Sequence, residues 1–356
     1  MQTLEQADRL LEAIHDQTGL FFNALNYSNI LFHMHRHAEV VAHNHRLIAS
    51  LSNDTSRVWL AEAMRRIASS QFFLAQYDDA LENARKAETL LEGIEGVEHT
   101  RHEILMEQGW AYFSQERHAE ALHAFRRAEA LLGPQELRAL LIEPLSAIYR
   151  VLGAWERLEQ ALQAAEQEIQ NHQFYRDLVD YHRVLYLYAR GLASEGDFAE
   201  TERRLELAGW DHGLARMRLE RALLVEPAKG LLLAQKSLDW ARLKGIPGLE
   251  TEALAHTALL LHKLGRLDEA LDHTEAALNR LADYPPPAKR ALVWLAGYQV
   301  RSATASAGAF EALQKGVQWV NHVAENHVPE EFREGYRWRN AIHRGILETA
   351  RLEKLV

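Results

Sequence analysis

The sequence contains no cysteine among its 356 residues. That excludes disulfides and thiolate metal sites and fits a reducing compartment. Proline is scarce, at 8 residues, and the 19 glycines are too few for long linkers. No Ser/Gly-rich or Pro-rich tract divides the chain. No run of about 18 apolar residues exists, so no segment is expected to span a membrane. The stretch from Met1 to Ala13 carries acids and lacks the continuous apolar core of a signal peptide. Cytoplasmic is therefore the default location. Basic charge is also in deficit. A net charge of −10 argues against a nucleic-acid partner, and local basic clusters such as Arg216, Arg218 and Arg221 read as a solvated helix face.

Catalytic signatures are missing as well. There is no Gly-x-x-x-x-Gly-Lys-Ser/Thr, no Gly-x-Gly-x-x-Gly and no Gly-x-Ser-x-Gly. His102-Glu103 opens a zinc-protease string but lacks its second histidine. The abundant carboxylates read as solubilising, and nothing selects a pair for acid/base work. The expectation is a non-enzyme without cofactor. One cluster has metal-ligating chemistry: His33, His35, His37, His43 and His45. His33 and His37 are four residues apart and can share a helix face, as ligand pairs do. Against a metal, no carboxylate accompanies them, and His37 falls near an expected inter-helix turn. The alternatives are a run of partly exposed polar positions or a pH-responsive patch.

What is present is apolar material, 47% of the chain, and a repeat. A single compact core stops growing at roughly 250–300 residues, so an extended core or two domains is required. Gly109, Ala121 and Ala128 are spaced 12 and then 7 residues apart. The spacing recurs at Ala68/Ala80/Ala87, Ser146/Leu158/Ala165, Ala189/Thr201/Ala208, Ala222/Ala234/Ala241, Ala258/Ala270/Ala277 and Gly297/Ala309/Gly316. Only Leu158 and Thr201 break the small-residue rule. Antiparallel helices approach closely only where facing side chains are small. Twelve residues allow helix, turn, helix, and seven residues keep two anchors on one face. Gly153, Gly196 and Gly265 each stand five residues before the second anchor, where the model needs a loop. No useful alternating β pattern appears. In this register Ala121→Leu overpacks a helix contact and costs roughly 1–3 kcal/mol; a variant as stable as the parent by thermal melting would show the register to be wrong.

Gly109, Tyr112, Ala121, Phe125 and Ala128 resemble the tetratricopeptide signature, with Gln108 in place of its usual Leu, and so do Ala258, Leu261, Gly265, Leu267, Ala270 and Ala277. The resemblance covers roughly residues 61–320 and more weakly 19–50. It implies an all-α protein: a right-handed α-α superhelix of about seven to eight helix pairs with closing C-terminal helices. The chain then divides into a degenerate first unit (1–55, with helices at 3–16, 19–33 and 38–51), seven repeats (56–326) and closing helices (327–356), all one solenoid. The long, uneven units are similar to the sensor modules of large bacterial signalling ATPases and transcription regulators of the maltose-regulator type. Val-Pro-Glu-Glu-Phe-Arg at 328–333 and Arg-Asn-Ala-Ile-His-Arg-Gly-Ile-Leu at 339–347 are similar to their closing helices.

Such solenoids bind along the concave surface lined by the first helix of each pair. The register places Phe72, Phe73, Trp110, Phe113, Arg150, Tyr186, Arg190, His262, Trp294 and Tyr298 there. Aromatics and arginines dominate binding hot spots, although several of these also fit packing between neighbouring units. The Asn and Lys with which some tetratricopeptide domains clamp a terminal carboxylate do not stand at the matching positions here, which argues against a chaperone-tail clamp. Two functions follow: a protein- or peptide-binding scaffold or adaptor in bacterial signalling, or a small-molecule sensor whose ligand alters oligomerisation or partner binding. Homo-oligomerisation through exposed solenoid ends is a further alternative.

Overall fold

A computed structural model describes residues 6, 10, 16–50, 56–132, 138–169, 173–190, 192 and 194–355. The expected first helix, 3–16, lies almost wholly outside them. Among the described residues every regular element is helical. Sixteen helices form eight successive antiparallel pairs: α1 (Gln17–His33) with α2 (His37–Ser50), α3 (Arg57–Phe73) with α4 (Tyr77–Leu90), α5 (Glu98–Ser114) with α6 (His118–Ala130), and α7 (Ile142–Val151) with α8 (Trp155–Glu168). Then come α9 (Gln173–Ala189) with α10 (Glu195–Leu207), α11 (Asp211–Ala222) with α12 (Pro227–Lys244), α13 (Pro247–Lys263) with α14 (Leu267–Arg280), and α15 (Arg290–Ala303) with α16 (Ala309–Asn326). A short 3-10 turn, a π-helical turn at Gly335–Arg339 and α17 (Ala341–Leu352) complete the chain.

The repeated spacing marks these pairs, with local corrections. Ala121 and Ala128 are fully buried on α6, and Gly109 is buried on α5. A Cβ at Gly109 would overlap the Phe125 ring, so the glycine makes room for an aromatic rather than another small residue. In the α11/α12 pair, Gly230 meets the end of the first helix, where a Cβ would overlap the Ala222 carbonyl. In the last pair, Ala312 faces Gly297, because a five-residue loop displaces the register from Ala309. Gly196 is not in a loop. It stands in the first turn of α10, which Ser194 and Asp197 close as a capping box.

Most intra-pair turns share one geometry. The middle residue is left-handed at His35 (φ 58°), Ala75 (59°), Glu116 (62°), Gly153 (62°) and Gly265 (73°). The next amide donates back to the last helical turn, as Arg117 N does to Tyr112 O and Ala154 N to Tyr149 O, both at 2.9 Å. Glycine is the low-strain choice here, so Ala75, Glu116 and His35 hold the conformation at a cost that surrounding contacts must offset.

Those contacts run between distant parts of the chain. Tyr77 Oη donates to Pro285 O at 3.0 Å. The buried Glu116 carboxylate accepts from Arg290 N at 3.1 Å and Trp319 Nε1 at 2.8 Å. Ala119 N donates to His327 O at 2.8 Å. Gly153 lies against Gly335, and Asn340 Nδ2 donates to Val151 O at 3.2 Å. The turns of the second, third and fourth pairs thus dock on the connection before the last pair, on the last pair itself and on the closing segment. The superhelix closes on itself, and its concave side is an interior rather than an open trough.

Candidate ligand site

Helix α11 carries the centre of this interior. His212, Arg216 and Glu220 recur every four residues, so they share one face, and all three line interior cavities. The other face packs on α10, where Arg218 donates to Glu202 and Glu206 at 2.8 Å each and Arg221 donates to Glu202 at 3.2 Å. The basic cluster of the sequence therefore splits. Arg218 and Arg221 serve an ion-pair ladder, whereas Arg216 points inward instead of into solvent.

Two cavities meet at Arg216, the residue common to both linings. The first, about 360 Å³, has walls of Phe32, Phe72, Phe73, Trp110 and Trp210, with His35, His37, His212, Glu107 and Glu143 among them. The second, about 270 Å³, has apolar walls including Phe113, Trp155, Leu185, Leu223 and Ile342, with Arg150, Glu220, His256 and Lys289 as polar groups. A broader depression of about 660 Å³, lined by Asp78, Glu82, Arg85, Lys86 and Arg117, is shallow, and its Lys86–Glu82 pair is local, at 2.5 Å. The two deeper cavities have the better ligand geometry, because walls on more sides remove more of a ligand from water.

The interior charges are organised. Lys289 Nζ bridges Glu220 at 2.7 Å and Glu252 at 2.5 Å, and Arg150 stands 3.4 Å from Glu220. Burial opposes ionisation of Glu220, but Lys289, Arg150 and Arg216 outweigh it and hold that carboxyl well below the usual carboxylate range. Glu107 is the opposite case. Burial pushes it up to about 7, against the pull of Arg65 at 3.8 Å. Burial raises Glu143 likewise, opposed by Arg216 and Arg150. His37 is lowered to about 3 by burial and by His35, and His212 well below its usual value by burial and Arg216. These imidazoles are neutral, and both nitrogens of His37 and Nδ1 of His212 have no hydrogen-bond partner.

Of the ten groove residues expected from sequence, Phe72, Phe73 and Trp110 line the first cavity and Phe113 and Arg150 the second. The other five line neither. Tyr186 donates to Glu159 at 3.1 Å and accepts from Arg190 at 2.7 Å. Trp294 packs on Trp319 with ring centres 5.7 Å apart, and Tyr298 donates to Glu353 at 2.8 Å. His262 lies in the last turn of α13. His33 is exposed at the mouth of the first cavity, while His37 stacks on Phe73 at 4.4 Å. Among the described residues no group of three or more His, Asp or Glu side chains is placed to hold a metal.

The chain is similar in fold to a Rap protein. The match is to a Rap protein complexed with competence and sporulation factor, with a TM-score of 0.56 and 10% identity over 94% of this chain and 99% of that one. The apo form of RapI also aligns, with a TM-score of 0.45 and 12% identity over 94% and 98%. No family model and no curated protein matches the sequence. The first likeness shows a tetratricopeptide-like helical-repeat fold spanning nearly the whole chain. Arg216, His212 and Lys289 were missed as site residues. The available signal was the four-residue periodicity of His212, Arg216 and Glu220 on one short helix.

Proposed function

We propose that this chain is a non-catalytic binding protein that takes a short extended peptide into the interior of its superhelix. The observation that carries this reading is the pair of half-open cavities meeting at Arg216, walled by aromatics and holding a few convergent polar groups. The fold it shares with a Rap protein whose complex contains competence and sporulation factor supports it. So does the tying of Glu220, Lys289 and Glu252 into fixed ion pairs, which suits positioning better than proton transfer. The sequence resemblance of the long repeats and closing motif to sensor modules of signalling ATPases supports reading the protein as an adaptor in bacterial signalling, with the cytoplasm as its default location. No helix among the described residues is long and apolar enough to cross a membrane.

A second reading, a small-molecule sensor, is favoured by one feature: the cavities, about 360 and 270 Å³, are close to the lower end of ligand-pocket volumes, roughly 300–1,000 Å³.

The test fills the site instead of emptying it. Trp110 packs edge-on against Phe113 and Phe125, so its removal would disturb the core as well as the cavity. Ser69 lines the first cavity with a small side chain that bonds the buried Glu107 carboxyl. Ser69→Trp is expected to abolish the thermal stabilisation that a pool of short peptides gives the parent protein, with the free variant still unfolding in one cooperative transition at a somewhat lower temperature. Equal stabilisation of parent and variant would place the ligand elsewhere.

A further inference from the structure

We infer that the ligand of this interior site carries an anionic group, and that the Arg216 guanidinium holds it. The inference rests on the interior being a ligand site and adds the chemistry of what enters.

Among the described lysines and arginines that line the two cavities, Arg150, Arg216, Lys289 and Arg339, only Arg216 donates no hydrogen bond to the protein. Arg150 donates to Ser146 O at 3.3 Å and faces Glu220. Lys289 is shared by two carboxylates. Arg218 and Arg221 are bonded to Glu202. Arg216 has only Glu143, 3.8 Å from Nη1 and beyond hydrogen-bond range, and the Trp110 ring, whose centre is 5.9 Å away. A guanidinium has five donors in a planar fork. The Arg216 side chain is 19% exposed, so its donors face the water-accessible space of the cavities and no protein acceptor, which leaves the fork open to a ligand. Burial works against its charge, but Tyr181, Glu143, Glu252 and Glu220 outweigh it, so the group stays ionised.

Its position decides what would satisfy it. The fork lies where the two cavities meet, with Trp110 and Phe73 on one side and Phe113 and Leu223 on the other. A carboxylate matches it with two parallel N–H···O bonds. The partner-free nitrogens of His37 and His212 offer neutral hydrogen bonds in the same cavity. The fitting ligand is an amphipathic carboxylate with an aromatic or aliphatic body. The anchor is a single guanidinium, not the Lys and Asn pair of a chaperone-tail clamp. A peptide C-terminus and a free organic acid share this chemistry.

Three probes separate them: a pool of N-acetylated pentapeptides built from uncharged residues with free C-termini, the same pool amidated at the C-terminus, and 3-phenylpropionate. Each is titrated by thermal shift and by tryptophan fluorescence against the parent, Arg216→Met and Arg216→Lys. The free-acid pool is expected to bind the parent, the amidated pool about 10- to 100-fold more weakly. Arg216→Met should lose that preference and melt below the parent, since Glu143 and Glu220 lose a compensating charge, so its binding is compared at a temperature where it is folded. Should that variant fail to fold, Arg216→Lys, which keeps charge without the fork, makes the comparison. Equal binding of both pools would overturn the anionic anchor and leave peptide binding standing. Binding of 3-phenylpropionate but of neither pool, lost in Arg216→Met, would keep the anchor and replace the peptide by a free acid. No response to any probe would overturn both.

Discussion

Gly153→Ala should destabilise the protein by about 3 kcal/mol, whereas Gly265→Ala should cost only about 1 kcal/mol. Both glycines occupy the middle of a three-residue turn with left-handed φ, 62° and 73°. The intrinsic penalty for giving either a Cβ is the same. The difference is what the Cβ meets. At Gly265 nothing lies within 4 Å. At Gly153 it would stand 2.6 Å from Arg339 Cβ and 2.7 Å from Gly335 O. A backbone oxygen cannot swing away as a side chain can, so the closing segment must shift. Gly335 is under the same constraint from the other side, where a Cβ would overlap the Leu152 carbonyl. Two glycines 182 positions apart in sequence are therefore needed at one backbone contact. Denaturant unfolding of the two variants measures the ring closure directly, and equal losses would mean that the fourth turn does not bear on the closing segment.

That contact also shows where sequence reasoning ends. Helix pairs were legible because their packing repeats. Small residues at steps of 12 and 7 report a local geometry, helix against next helix, and that geometry recurs with the chain's own period. Ring closure does not repeat. Tyr77 with Pro285, Glu116 with Arg290 and Gly153 with Gly335 are single contacts between turns, and nothing in the spacing of either partner points to the other. The left-handed turns were legible at Gly153 and Gly265, where glycine announces them, and silent at Ala75 and Glu116, where the same geometry is imposed by tertiary contacts. The interior site was half legible for a related reason. Phe72, Phe73, Trp110, Phe113 and Arg150 lie on first helices close to the small anchors. Arg216 lies among Arg218 and Arg221, and composition alone gives all three the look of a solvated face. Only the neighbouring acids of α10 sort them, and those acids become neighbours through folding.

The closed ring also buries histidines, and acid should expose them. His118 is fully buried between Phe113 and Tyr336, with ring centres 5.9 and 5.6 Å away and no partner for either nitrogen. Burial, then His343 and His327, lower its pKa to about 3. His343, which bonds Tyr336 O at 2.8 Å, is lowered by burial to about 4. An unfolded histidine titrates near 6.5. Above that pH both states leave His118 neutral and it adds no pH dependence. Below it, the unfolded chain takes up a proton that the folded chain refuses. Stability then falls by about 1.4 kcal/mol per pH unit for this residue, down to the folded value. Glu107 and Glu116, whose folded pKa values burial raises, act in the opposite sense as the pH falls and mask part of the slope. A double comparison removes them. Between pH 7.5 and pH 5, His118→Phe should lose about 2 kcal/mol less stability than the parent, 1.5 pH units of a single suppressed protonation. Parallel pH profiles for the two proteins would show that His118 is reached by solvent, and that the seam between the third turn and the closing segment is open.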